Sequence, residues 1–142
     1  MILCLCADNR LGLSFNKRRQ SSDIMLCDRL LNITKGSKLW IKEYSKQLFE
    51  EEIGISVFVT DNFNRDVLTD DYCFLEIENI DDYIAKAKKI ILFRWNRDYP
   101  YDMSLSKDFK DSWKLVSSDE FSGNSHETIT IEEYKKCASS NI

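Results

Sequence analysis

Three adjacent cations, Lys17, Arg18 and Arg19, stand in the stretch Leu11–Asp23, L-G-L-S-F-N-K-R-R-Q-S-S-D. An apolar run, Ile2–Ala7, precedes it, and a helical pattern begins near Asp23. In open α/β sheets, ligands collect where strand passes to helix. Grouped cations there suit an anion or an acidic partner, because the helix amides add partial positive charge. Asn16, Gln20 and Ser22 would add neutral hydrogen bonds. The alternative is a solvated cationic loop. A second group, Arg94-Trp95-Asn96-Arg97, closes another apolar run. Two arginines and a tryptophan suit a planar or anionic group, through bidentate bonds and stacking. Alternatively Trp95 is core and Arg97 pairs with Asp98 or Asp102. Asp23 itself can be a ligand contact, an arginine partner or a first-turn acid favoured by the helix dipole.

Other chemistry has less behind it. His126 is the single histidine, follows Gly123-Asn124-Ser125 in a turn, and reads as structural. Ser125 and Ser45 have no visible base partner, so nucleophilic catalysis lacks a constellation. Glu50-Glu51-Glu52, Asp70-Asp71 and Glu76–Asp82 read as solvated acidic faces, or as a surface for a basic partner.

The 142 residues suffice for one domain with a proper core, and 43% apolar content argues for a folded chain. A net charge of −4 gives no support to general nucleic-acid binding, which needs a basic excess or patch. The five cysteines, Cys4, Cys6, Cys27, Cys73 and Cys137, include no C-x-x-C spacing and read as buried, reduced thiols. Ile2–Ala7 is too short to span a membrane and lacks the flanks of a signal peptide. The expected location is the cytoplasm, with no membrane partner.

The elements that must position these residues follow from periodicity. Ile2–Ala7 and Ile90–Trp95 are continuous apolar runs, expected as buried strands. Ser21 or Ser22 can cap a helix from about Asp23 to Asn32, with Ile24, Cys27, Leu30 and Leu31 inward and Gly36 at its stop. A short strand, Lys38–Ile41, leads to a helix from about Tyr44 to Glu52, with Tyr44, Leu48 and Phe49 inward. Ile55–Thr60 and Tyr72–Ile77 are expected strands. Asn79 can cap a helix over Ile80–Lys88, with Ile80, Ile84 and Ala87 inward. Trp113–Ser118 and Glu127–Ile131 form an antiparallel pair joined through Gly123. The expectation is a single three-layer α/β domain over residues 1–137: a mixed sheet with helices on both faces and a C-terminal antiparallel hairpin. Residues 138–142 are expected to be a frayed tail.

This order resembles dihydrofolate reductase. Leu11-Gly12-Leu13 after the first strand resembles that family's I-G pair and mobile loop. Asp23 falls where an acidic residue opening the first helix contacts the pterin. Leu39-Trp40-Ile41 and the strand around Phe93 resemble later strands, and the tail through Asn124-Ser125-His126 looks like the family's final hairpin. The resemblance implies NADPH as cofactor and Asp23 as the proton-handling group. Three departures argue against NADPH binding in the usual mode. Lys17, Arg18 and Arg19 occupy the region of a Pro-Trp pair. Lys42-Glu43-Tyr44-Ser45 stands for G-R-x-T, putting Glu43 where an arginine helps to hold a cofactor phosphate. Glu76-Ile77-Glu78 stands for a Gly-Gly that lets backbone approach the pyrophosphate. The F-N-x-R-R-Q-S-x-D and R-W-N-R stretches also look like short bacterial proteins labelled ribonuclease Z. That chemistry needs H-x-H-x-D-H to hold zinc, and the chain has one histidine.

The sequence therefore reads as a non-catalytic binding or regulatory protein, a pseudoenzyme on a reductase-like fold, without cofactor or metal. Its partner is a protein or a small anionic ligand, met through Asn16, Lys17, Arg18, Arg19, Gln20, Asp23, Arg94, Trp95 and Arg97. On size and charge, a bacterial inhibitor of anti-defence or anti-CRISPR type, carried by a phage or mobile element, falls within this reading. The alternatives are a divergent NADPH-dependent oxidoreductase using Asp23, and a nuclease.

Overall fold

Ile2–Ala7 alternates its side chains between two apolar layers, and so becomes the middle strand, β1, of a seven-stranded sheet. The computed structural model describes residues 1–137, so the expected frayed tail lies outside the described residues. Leu3, Leu5 and Ala7 point into one core, and Ile2 and Cys4 into the other. Leu39–Ile41 (β4), Val57–Val59 (β5), Tyr72–Phe74 (β6) and Lys89–Arg94 (β7) run parallel with β1. Trp113–Ser122 (β9) and Thr128–Lys136 (β10) form the antiparallel hairpin beside β7. The strand order is β5-β4-β6-β1-β7-β10-β9, with helical segments on both faces, as the sequence leads one to expect.

Helix α1, Ile24–Ile33, buries Leu26, Cys27 and Leu30 against one face. On the other lie three short helices, Phe63–Asp66 (α2), Asp81–Ile84 (α3) and Phe109–Ser112 (α4). Several expectations are corrected. Asp23, not Ser21 or Ser22, caps α1, its carboxylate accepting from the Met25 N–H. The segment Glu43–Glu52 is 3₁₀ and is kinked at Phe49. Three consecutive glutamates at its end oppose the negative pole of a regular helix. Ile55 is 79% exposed, because β5 is a short edge strand that starts only at Val57. The helix expected over Ile80–Lys88 is four residues long, and the chain then turns into β7.

The largest correction concerns Leu11–Asp23, which is not a loop. Gly12–Phe15 (β2) and Arg18–Arg19 (β3) form a hairpin, and Met103–Ser104 (β8) completes a small separate sheet. Ser14 pairs with Arg19 and Phe15 with Arg18, leaving Asn16-Lys17 as a two-residue turn. Both turn residues have positive φ, 53° and 58°, as a type I′ hairpin demands.

Four cysteines are buried or nearly so, and burial pushes the Cys27 and Cys73 thiols up to about 12. Cys137 departs from the expectation by being exposed. Among the described residues, no helix is long and apolar enough to cross a membrane.

Candidate functional site

All five parallel strands end on one edge of the sheet, and the turn between β9 and β10 returns to that edge. Asn16–Asp23, Lys42–Ser45, Glu76–Glu78, Arg94–Arg97 and Asn124–His126 therefore gather there, as the rule for carboxyl ends of strands requires.

Asp23 is buried, at 4% exposure, and its carboxylate is fully engaged by the protein. It accepts from the N–H groups of Met25 (2.9 Å), Asn124 (2.9 Å), Ser125 (2.9 Å) and His126 (3.1 Å), and from the Ser125 hydroxyl (3.1 Å). His126 Nδ1 lies 3.0 Å from it. Burial pushes this carboxyl up, but the Asn124 N–H, the His126 ring and the Ser125 and Met25 N–H groups hold it well below the usual carboxylate range. His126 is stacked on Trp95, centroids 4.5 Å apart, and its Nε2 lies 2.8 Å from the Tyr99 hydroxyl. Asp23 thus clasps the final hairpin onto the start of α1.

Ser125 does have a base beside it, which the sequence did not suggest. Its Oγ is 3.1 Å from His126 Nδ1. Asp23 sits on that same nitrogen, however, while Nε2 faces Tyr99. A serine relay needs the acid on one ring nitrogen and the hydroxyl on the other. The Ser45 hydroxyl donates to Glu76 at 2.7 Å, but Glu76 is already held by an arginine.

That arginine is Arg19. Its Nε and Nη2 bond the two Glu76 oxygens at 2.7 and 2.9 Å, and its guanidinium lies over the Tyr44 ring at 4.5 Å. The Tyr44 hydroxyl accepts from the Arg19 N–H. This network bridges the small sheet to the end of β6. Beneath it, around Cys6, Trp95 and Asp23, lie two hollows of about 10 Å³ each.

The second cationic group is similarly absorbed. Arg94 donates to the carbonyls of Asp8 and Asn9 and pairs with Glu132 at 3.3 Å. Trp95 is 3% exposed. Asn96, with φ 61°, donates to the Thr128 carbonyl and the Thr130 hydroxyl. Arg97 donates to the Ser125 carbonyl rather than pairing with Asp98 or Asp102. Asp102 instead accepts from the Asn16 N–H, and Gln20 donates to the Pro100 carbonyl.

Phe15, Asn16, Lys17 and Arg18 at the hairpin tip face water, as do Asn96, Arg97 and Asp98 on the loop after β7. Neither Lys17 nor Arg18 has an ion pair among the described residues. The four non-glycine residues with positive φ, Leu11, Asn16, Lys17 and Asn96, all lie on this edge.

The strand order, the central β1 and the final hairpin decide the architecture. The fold is that of dihydrofolate reductase. The chain is similar to dihydrofolate reductase from Enterococcus faecalis, complexed with NADP(H) and RAB-propyl, with a TM-score of 0.67 and 7% identity over 96% of each chain. No protein-family model matches the chain, and no curated protein matches it by sequence.

A dihydrofolate reductase-like fold implies a dinucleotide, and the residues here do not fit one. The N–H groups of Glu76 and Ile77, at the end of β6, are taken by the Glu78 carboxylate at 3.1 and 2.9 Å. A hollow of about 690 Å³ opens beyond β4, β5 and β6. Its walls carry Glu43, Asp61, Asp66 and Glu78 against Lys42 and Arg65. Arg65 is committed to Asp61 and Asp66, and Lys42 donates to the Asp61 carbonyl. For the zinc chemistry of ribonuclease Z, no group of three or more His, Cys, Asp or Glu stands ready to hold a metal among the described residues.

Sequence reasoning missed Tyr99, and it read Glu76, Glu78 and Tyr44 as departures from cofactor motifs rather than as partners of Arg19 and of the amides after β6. The acid-rich run Glu76–Asp82 was a signal for two of them, since an acid directly after a buried strand invites a cation.

Proposed function

We propose that this chain acts by binding, and that it presents the Phe15–Arg18 hairpin tip to an acidic surface of a protein partner. The observation that carries the reading is the division of the cations. Arg19 and Arg94 are spent inside the molecule, whereas Lys17 and Arg18 stand beside the exposed Phe15 with no ion pair among the described residues. Lys17 also holds φ at 58°, a conformation costly for a residue with a Cβ. Such outliers concentrate where function retains them. The narrower role of an inhibitor carried by a phage or mobile element rests on chain length and charge alone.

The test is affinity capture with the wild-type chain and with Lys17→Glu/Arg18→Glu, at low and moderate salt. Loss of the captured partner in the variant, and weakening of wild-type capture with salt, are expected. An unchanged set of partners defeats the proposal.

A second reading is a divergent NADPH-dependent oxidoreductase, which the fold favours and the acidic lining of the hollow beyond β4–β6 opposes. Titration with NADPH and a pterin, followed by ligand fluorescence and thermal melting, separates the two. A saturable micromolar NADPH response supports the oxidoreductase, and its absence removes it.

A further inference from the structure

We propose that Glu78 determines what the hollow beyond β4, β5 and β6 can accept: its carboxylate serves as that hollow's own internal anion and keeps phosphate-bearing ligands out. The N–H groups of Glu76 and Ile77 converge on one oxygen of Glu78, at 3.1 and 2.9 Å. Successive backbone amides aimed at one point make an anion-binding concavity. The hollow that Ile77 and Glu78 border measures about 690 Å³ and carries Lys42 and Arg65 on its walls. Amides, cations and room for a ligand are therefore all present, and the amides have no capacity to spare.

A carboxylate on the next residue but one is tethered, so it faces the two amides at a high effective concentration. A free phosphate must displace it from solution. It must also enter a wall that bears four carboxylates against two cations. Removing Glu78 alone changes both conditions. It frees two N–H groups, and it leaves Glu43, Asp61 and Asp66 against Lys42 and Arg65, with Asp61 and Asp66 already satisfied by Arg65. The inference deepens the view that this chain does not use a dinucleotide. It does not involve the hairpin tip, so its failure would leave the partner-binding proposal standing.

The experiment uses the full chain and inorganic pyrophosphate as probe, with sodium chloride at matched ionic strength as control. Calorimetric titration and thermal melting are read for wild type, Glu78→Ala and Glu78→Gln. Wild type is expected to respond to pyrophosphate no more than to the salt control. Glu78→Ala should gain saturable binding at least about tenfold tighter than wild type, and a higher melting temperature with the ligand. Glu78→Gln keeps the side chain's size and an oxygen that can accept both amides, so it guards against a variant that fails to fold. It should show a smaller gain. Folded Glu78→Ala and Glu78→Gln that bind pyrophosphate no better than wild type would overturn the proposal. So would wild-type binding as tight as that of either variant.

Discussion

Asp23 is the residue whose role changes most between sequence and structure. An acid at the start of a helix suggests a ligand contact, a cation's partner or a dipole effect. Its neighbours in space, Asn124, Ser125 and His126, lie 101 to 103 residues away and are invisible to local pattern. Replacing it by alanine strands four N–H donors and the imidazole, and should cost about 3 kcal/mol or more, read by denaturant unfolding. Its pH signature has a definite sign. The carboxyl is held below its ordinary range, so its stabilisation is complete above the unfolded value and is lost as pH falls below it. Wild type should therefore lose melting temperature below about pH 4, and Asp23→Asn, less stable at pH 7, should lose less over the same range. Arg19 was legible as a cation but not as a spent one, because Glu76 is 57 residues distant.

Elements with unbroken apolar runs were readable. β1 and β7 needed only their continuous apolar runs, and the final hairpin only two runs about a glycine. The β2–β3 hairpin was not readable. Its turn is Asn16-Lys17, where the familiar signal is Asn-Gly, and the lysine disguises it. Lys17→Gly should relieve the left-handed backbone and raise stability by about 1 kcal/mol in urea titration, while weakening capture of the partner. Gly123 has the opposite need. A Cβ there would meet the His126 carbonyl at 2.4 Å and the Asp23 carboxylate at 2.7 Å. Gly123→Ala should thus open the clasp and cost more than about 2 kcal/mol, with loss of the ring-stacking signal of Trp95 in near-ultraviolet circular dichroism.

For the whole molecule, the succession of strands and helices carried the architecture across a relationship of 7% identity. The edge where the parallel strands end is filled by Arg19, Glu76 and Glu78, and the binding surface proposed for this chain lies outside it, at the tip of a hairpin. The clasp at Asp23 has a further consequence, for synthesis on the ribosome. The middle strand and the first helix leave the tunnel early, yet the groups that seal the helix start arrive only with the last hairpin. β10, which closes one flank of β7, comes later still. A nascent chain of this protein carries an unsealed helix and an open sheet until the β9–β10 hairpin has left the tunnel, and its decisive folding event waits for that hairpin.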